Sequence, residues 1–378
     1  MKILILSEYF PSGKELKLSG GVETRNYYVA KNLSKHNKVT IIASNIYGQK
    51  QKENASGINI IRVGKKRDYN ATTGSILDRL IFVKKAINKG KSLDVDIVEG
   101  TNFITHLIAK RISQKNKIPV VYWYPDVFIG QWFKTSGAIG GTFGWFLEKY
   151  NLLNKANIFI SISKQTTNKL IKNRISSKII KTIPCGIEPG EFKQKIVKVS
   201  PQVIICISRL VPYKNIEDLI WAYALLAKKN IKCSLKIVGT GPEEQKLRNI
   251  SSMLKLNNSI KFYKNLPRKQ FLKLLQTSYI LCSTSSVEGF GINVIEAAAS
   301  GVPYVLSNLG VFNEITKKGL GGLFFKTRDV KDLADQLEVL LTDKYLYRKK
   351  QKEALSLAKT YDWKKISFET AKIYQSLI

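Results

Sequence analysis

The stretch Glu288-Gly289-Phe290-Gly291-Ile292-Asn293-Val294-Ile295-Glu296 decides how this chain is read. Two carboxylates stand with seven residues between them, and a Gly-aromatic-Gly turn follows the first. The helix-forming run Glu296-Ala297-Ala298-Ala299 begins at the second. Glycines let backbone amides come close to a ligand, and a helix starting there offers its N-terminal amides to a phosphate. Glu296 is then expected about five residues into that helix, roughly 7 Å along its axis. This span suits a ligand running from a pyrophosphate to a ribose, whose diol can donate two hydrogen bonds to one carboxylate. Glu288 stays in the loop at the mouth, where a sugar hydroxyl could meet it. The plainer alternative is a helix start that happens to carry two acids.

Upstream, the apolar run Val203-Ile204-Ile205-Cys206-Ile207 leads into Ser208-Arg209-Leu210-Val211-Pro212-Tyr213-Lys214-Asn215. A strand ending in Ser-Arg-Leu, a proline turn and a lysine at a helix start put two cations at one strand's carboxyl end. In open α/β sheets that edge holds the ligand. A guanidinium fork and an ammonium suit a departing diphosphate, whose charge grows as its bond to a sugar breaks. Alone, Arg209 and Lys214 would pass for surface charges. Beside the two-Glu segment they read as a phosphate site.

With both segments in place, the chain resembles the retaining GT-B glycosyltransferases of family 4, and the resemblance runs nearly end to end. Gly20-Gly21-Val22-Glu23 after the first expected strand is similar to that family's N-terminal Gly-Gly loop. Ile183-Pro184-Cys185-Gly186-Ile187 resembles its hinge, and Val238-Gly239-Thr240-Gly241-Pro242-Glu243 its Val-Gly-x-Gly-Pro turn. Ala299-Ser300-Gly301-Val302-Pro303, Gly321-Gly322-Leu323-Phe324 and an aromatic-rich C-terminal helix around Trp363 also fit. Each pattern is weak by itself. Their order along one chain is specific.

The resemblance implies an α/β protein of two Rossmann-like, doubly wound domains facing across a cleft. Residues 1–190 would form an acceptor-binding domain and 191–358 a nucleotide-sugar-binding domain. A helix over 359–378 would cross back to the first. The implied activity is retaining hexosyl transfer from a nucleotide diphosphate sugar to an acceptor hydroxyl. Arg209 and Lys214 would hold the distal donor phosphate, Glu288 the sugar hydroxyls and Glu296 the ribose. Gly289, Phe290, Gly291 and Ile292 would shape the turn against the donor, and Gly20 and Gly21 would let the first domain's loop close on it. In this scheme the leaving phosphate takes the acceptor's proton, so no protein nucleophile is required. The sequence carries no Ser/His/Asp or Cys/His arrangement that would supply one. Neither metal nor cofactor is expected, because the two cations do that work.

One position departs from the family. Where many members carry a histidine, Pro119-Val120-Val121-Tyr122-Trp123-Tyr124-Pro125-Asp126 offers Pro125 and then Asp126. Asp126 is the local candidate for that donor-positioning role; an Asx-turn residue after proline is the alternative. Nucleotide-sugar epimerases and glycogen-type phosphorylases share the fold. The former are expected to show different acids and histidines, the latter a cofactor lysine and a much longer chain.

At 378 residues the chain is long enough for about two domains, and its composition is that of a globular protein. The net charge of +34 is spread over both halves: residues 1–190 carry 31 Lys/Arg against 12 Asp/Glu. A genome rich in Lys, Ile and Asn codons accounts for part of it. An anionic membrane face or phosphate-bearing substrates account for the rest. No helix-turn-helix, zinc-ligand spacing or RNP-type aromatic motif accompanies the charge, so nucleic acid is not the expected partner. Basic amphipathic character over 75–91 and aromatics at Phe128, Trp132, Phe133 and Phe143 to Phe146 point instead to an anionic membrane surface and a lipid-linked or other glycan acceptor. A soluble acceptor is the alternative. The four cysteines have no CxxC spacing and suggest thiols in a reducing compartment. Glu8 cuts short the apolar run of the first residues, so a first strand is expected rather than a signal peptide. The expected location is cytoplasmic, peripheral to the membrane.

Strand-like and helix-like segments alternate twice along the chain, which predicts parallel sheets. Strands are expected at 2–7, 38–43, 58–63, 95–99, 119–123, 157–161 and 179–183, then at 202–207, 234–238, 259–263, 279–282, 303–306 and 322–325. The segment 184–200 reads as the connection. Asp94-Val95-Asp96 has the form of a metal-binding DxD, but it sits before a strand, where acids punctuate. No GxGxxG follows the first strand, which argues against a dinucleotide oxidoreductase. His36 and His106 lack ligand spacing, and a structural role is expected for His106 in its helix.

Overall fold

The computed structural model describes residues 1–12, 16–18, 20–69, 75–192 and 201–378, the side chains of 134–136 excepted. It has two compact units, Met1–Cys185 joined by Trp363–Ile378, and Gly186–Asp362. The division lies a few residues from the expected 190 and 358. Both crossing segments pair with each other in the second unit: Ile187 bridges Asp362, and its amide donates to the Tyr361 carbonyl at 3.2 Å. The expected connection continues into 193–200, outside the described residues.

The first unit is built on β1 (Lys2–Leu6), β2 (Lys38–Ile46), β3 (Lys52–Ala55), β4 (Ile58–Arg67), β5 (Ile97–Gly100), β6 (Val120–Tyr124), β7 (Ile158–Ser161) and β8 (Ile180–Thr182). Their order is β3-β4-β2-β1-β5-β6-β7-β8, parallel except for β3. The apolar runs 3–6 of β1 and 158–160 of β7, with the aromatic and aliphatic β6, are what a sheet covered on both faces requires. β3 carries the sequence Lys-Glu-Asn-Ala and gave no apolar signal. It forms because Ser56 and Gly57, at φ 53° and 76°, make the tight turn that folds it back on β4.

The second unit has β9 (Gln202–Ile207), β10 (Cys233–Val238), β11 (Ile260–Tyr263), β12 (Ile280–Ser283), β13 (Tyr304–Ser307) and β14 (Gly322–Phe325), all parallel in the order β11-β10-β9-β12-β13-β14. Leu219 and Leu226 of the Ile216–Lys228 helix, with Leu333 and Leu337 of the Val330–Thr342 helix, close its core against Ile204, Leu235 and Ile280. Each sheet reverses strand order once, at β1/β5 in the first and at β9/β12 in the second. Ligands of such sheets bind outside the carboxyl ends at that reversal.

The helix Trp363–Gln375 belongs to the first unit, as the resemblance implies. Trp363 stacks on Tyr28 at 5.6 Å, and the Tyr374 hydroxyl donates to Glu99 at 2.6 Å. Glu99 also pairs with buried Arg25, whose guanidinium lies 4.9 Å from the Trp123 ring centre.

One long helix escaped the sequence reading: Trp132–Leu153, kinked at Gly137 where φ is 68°. Four glycines hid it, and two of them, Gly141 and Gly144, are packing positions. A Cβ on Gly144 would lie 2.3 Å from the Trp132 ring, and one on Gly141 2.9 Å from the Phe133 backbone. The kink folds the first turn back onto the rest of the helix. A short helix, Gly310–Ile315, was likewise not expected.

Candidate functional site

At the β9/β12 reversal, the segments following the two strands are stitched together. Thr284 Oγ1 donates to the Lys214 carbonyl at 2.8 Å, Asn215 Nδ2 to the Thr284 carbonyl at 3.1 Å, and the Ser286 amide to the Tyr213 carbonyl at 2.9 Å. Asn215 takes φ 47°, a left-handed conformation that asparagine tolerates, and starts the Ile216–Lys228 helix. On the other side of β9, a Cβ on Gly241 would meet the Leu210 carbonyl at 2.2 Å, so only glycine lets that turn close over the strand end.

This scaffold brings Lys214 and Glu288 into contact. Lys214, only 6% exposed, donates from Nζ to Glu288 Oε2 at 2.5 Å and to the Val287 carbonyl at 3.4 Å. Arg209 is exposed, and its Nη2 donates to the Tyr213 hydroxyl at 2.6 Å. The Tyr213 ring lies 5.6 Å from Lys214 Nζ and 5.9 Å from the Arg209 guanidinium, so it spaces the two cations. Arg209, Lys214 and Glu288 thus occupy one sheet edge.

The Gly289–Ile292 turn is fixed from behind. Gly291 has φ 96°, and a Cβ there would meet Phe312 at 2.9 Å. Phe290 is buried, its ring edge-on to Tyr361 at 6.0 Å, so its side chain anchors the turn. The Ile292–Ala299 helix starts without a side-chain cap, and Asn293 Nδ2 ties it to the Ile207 carbonyl at 2.7 Å. Glu296 is its fifth residue, 4% exposed. Arg268 Nη1 holds one Glu296 oxygen at 2.6 Å, while Nε and Nη2 of the same arginine donate to Glu191 Oε2 at 3.0 and 2.7 Å. Burial pushes the Glu296 carboxyl up, against the pull of Arg268.

Arg268 and Glu191 were missed by sequence reasoning. The available signal was Arg268 in the first turn of the Arg268–Thr277 helix, where a cation opposes the helix dipole and needs a local partner.

The remaining candidates lie in the first unit. Gly20 precedes the Gly21–Leu33 helix with an extended φ of −167°, and a Cβ there would meet nothing within 4 Å. Neither backbone strain nor crowding inside the unit calls for glycine at this position. Asp126 is buried beyond β6; its Oδ1 accepts from Lys169 Nζ at 2.7 Å and from the Val127 amide at 2.8 Å. It is held in a turn and in an ion pair. His106 is buried, bonded through Nε2 to the Trp123 carbonyl at 3.0 Å and stacked on Tyr122, and burial lowers its pKa to about 3. Asp94 and Asp96 sit at the opposite, amino edge of the sheet, where the Lys2 ammonium and amide engage them at 2.5 and 2.7 Å.

The chain belongs to the glycosyl transferases group 1 and has the GT-B fold: that family's model matches residues 189–356, and the Glycosyltransferase Family 4 model matches 19–191. It is 23% identical to an uncharacterized glycosyltransferase of Methanocaldococcus jannaschii over 99% of this chain and 98% of that one. Sucrose-phosphate synthase of Thermosynechococcus elongatus superposes with a TM-score of 0.84 at 17% identity, covering 100% and 99% of the two chains. An Anabaena protein, HepE, solved in complex with UDP and glucose, does so with a TM-score of 0.77 at 19% identity over 100% of both. The protein is a glycosyltransferase.

Proposed function

We propose that this enzyme transfers a hexosyl group from a nucleotide diphosphate sugar to a hydroxyl of a lipid-linked or other glycan acceptor at an anionic, cytoplasmic membrane face, with retention and without a metal. The observation that carries the donor side is the Lys214–Glu288 pair beside Arg209 at the β9/β12 reversal. As the bond from the sugar carbon to the diphosphate oxygen breaks, Lys214 and Arg209 take up the growing phosphate charge. The acceptor oxygen bonds to the sugar carbon on the same face, and its proton passes to the departing phosphate oxygen. Glu288, released from Lys214 by the phosphate, is free to accept from sugar hydroxyls, and Glu296 accepts from the ribose diol.

The membrane side rests on a surface. Ile139, Phe143, Phe146, Tyr150 and Leu153 are exposed at alternating intervals of four and three along the Trp132–Leu153 helix, which makes one apolar stripe. Residues 101–187 contain 13 Lys/Arg and only two acids, Asp126 and Glu148, both buried, so the charge surrounding the stripe is cationic. The Ile76–Lys91 helix covers the sheet with Phe82, Ala86 and Gly90 and leaves Leu77, Leu80, Lys84 and Lys85 outward. An apolar stripe within cations suits an anionic bilayer and disfavours a second copy of the same surface. No helix among the described residues is long and apolar enough to cross a membrane.

Thermal-shift titration with nucleoside diphosphates tests the donor reading, because a ligand at ~100 times its Kd stabilises by ~2.7 kcal/mol. No shift with any of UDP, GDP or ADP defeats it. Sedimentation with phosphatidylglycerol vesicles tests the surface: Phe143→Ser with Phe146→Ser should abolish binding that weakens with salt. Absence of vesicle binding at low salt makes the acceptor soluble.

A further inference from the structure

The first unit has its own strand-order reversal, and an unusual charge cluster lies at it. Glu8 follows β1, Arg67 ends β4, and Asn102 follows β5, all at the carboxyl edge of the sheet. Arg79, in the first turn of the Ile76–Lys91 helix, completes the group. Arg67 Nη2 and Arg79 Nε both donate to the same oxygen, Glu8 Oε1, each at 3.1 Å; Asn102 Nδ2 reaches Oε2 at 3.3 Å. Arg67 Nη2 also donates to Ser44 Oγ at 2.7 Å, and its guanidinium sits 5.2 Å from the Tyr9 ring centre.

One carboxylate holds two guanidinium groups, which leaves the cluster with a positive charge unmatched by Glu8. Arg67 is only 9% exposed, yet its Nη1 is buried with no hydrogen-bond partner among the described residues. Orphaned buried donors are uncommon and costly, more so on a charged group. Both terminal nitrogens of Arg79 likewise have no partner among the described residues, and that side chain is 21% exposed. Two guanidinium groups anchored on one carboxylate therefore keep three unused nitrogens between them, those of Arg79 on the more exposed side chain.

We infer that Arg67 and Arg79 form an oxyanion subsite for a phosphate group carried by the acceptor, with Glu8 aligning the two forks. A phosphate oxygen reaching Arg67 Nη1 satisfies the orphaned donor, and the planar fork of Arg79 offers a second, bidentate contact. Glu8 keeps the two cations adjacent before the ligand arrives, at a cost the ligand's charge relieves. The inference rests on the glycosyltransferase reading only in naming the ligand as acceptor.

The test is calorimetric titration of the full chain with sn-glycerol 1-phosphate, inorganic phosphate and neutral glycerol, in a Lys214→Ala background that removes one of the two donor-phosphate cations. Both phosphates should bind and glycerol should not. Arg79→Gln, at a partly exposed position, should raise the Kd for glycerol phosphate about ten- to a hundredfold with an unchanged unfolding temperature. Arg67→Lys, which keeps the charge and loses the fork, should weaken it similarly. Equal affinity in Arg79→Gln and its parent overturns the subsite, as does the absence of phosphate binding in the Lys214→Ala background. Failure of nucleoside diphosphates to bind the wild type would defeat the donor reading instead, and leaves this titration readable. Phosphatidylcholine vesicles doped with phosphatidate separate the sources. If Arg79→Gln weakens vesicle binding as well as glycerol phosphate binding, the phosphate is a lipid's; weakened glycerol phosphate binding with vesicle binding unchanged makes it a soluble ester's.

Discussion

Glu288 and Glu296 carry the same charge and flank the same turn, yet they are held in opposite ways. Glu288 is part-exposed and bound to a lysine, a flexible point charge that a phosphate can draw away. Glu296 is sealed under the sheet edge by Arg268, whose fork also grips Glu191. A part-exposed carboxylate on a single ammonium is readily exchanged. A buried carboxylate on a guanidinium shared with a second acid is not, because removing Arg268 leaves Glu296 a desolvated charge. Within one nine-residue stretch, the chain therefore combines a carboxylate that can change partners with one that stays put. Pairing chemistry, more than sequence position, separates them.

The largest expected consequence is in stability. Arg268→Met leaves Glu296 buried beside a lost cation and should destabilise the second unit by about 3–5 kcal/mol, lowering its unfolding temperature by on the order of 10 °C. The pH dependence follows from burial holding the Glu296 carboxyl above its ordinary value of 4.5. The native state then binds this proton more tightly than the unfolded chain. Its stabilising contribution is complete below the ordinary value and is lost as pH rises through the folded one. Without Arg268 the folded value climbs further, so the variant should lose more stability at pH 8 than at pH 5. A pH-independent loss, measured by denaturant unfolding, would show that Arg268 does not govern that proton.

The next effect is catalytic. Lys214→Ala should lower turnover about 10²- to 10³-fold, the usual effect of removing one preorganised donor to a developing charge. Its effect on stability should be small, because the abandoned Glu288 is part-exposed and water can take over. Near wild-type turnover in a folded Lys214→Ala protein would remove this lysine from the phosphate site. A large stability loss with intact turnover would make the Lys214–Glu288 pair structural, like that of Glu296.

Much of this contrast lay outside what the sequence could reveal. Local periodicity located nearly all the parallel strands, and the Gly-Phe-Gly turn with Glu296 in the fifth position of its helix could be read directly. Spacing also put Arg209 and Lys214 just past the end of β9. Partners brought by distant segments were invisible: Glu191 and Arg268 are 105 and 28 residues from Glu296 along the chain, yet both enter its network. Asp126 was legible as a post-proline turn residue, but its ion pair to Lys169 was not. The Trp132–Leu153 helix was obscured because glycine counts against helices in any local reading, whereas here it makes room for Trp132. β3 was missed for the converse reason, a polar edge strand kept in place by its turn.

The smallest effect separates the two acids most directly. Glu296→Gln keeps one oxygen acceptor and offers an amide where the second ribose hydroxyl would donate. Donor KM should rise about tenfold with kcat little changed, the loss of roughly one charge-assisted hydrogen bond. Glu288→Gln should instead lower kcat for a given donor sugar if, as proposed, Glu288 holds the transferred group. A 2′-deoxyribose donor provides the internal control. The wild type should use it poorly, because only ribose presents the full diol, and Glu296→Gln should barely distinguish it from the parent donor. Equal use of both donors by the wild type would take the ribose from Glu296. The Arg268–Glu296–Glu191 network would then be a purely structural clasp beneath a site whose chemistry belongs to Arg209, Lys214 and Glu288.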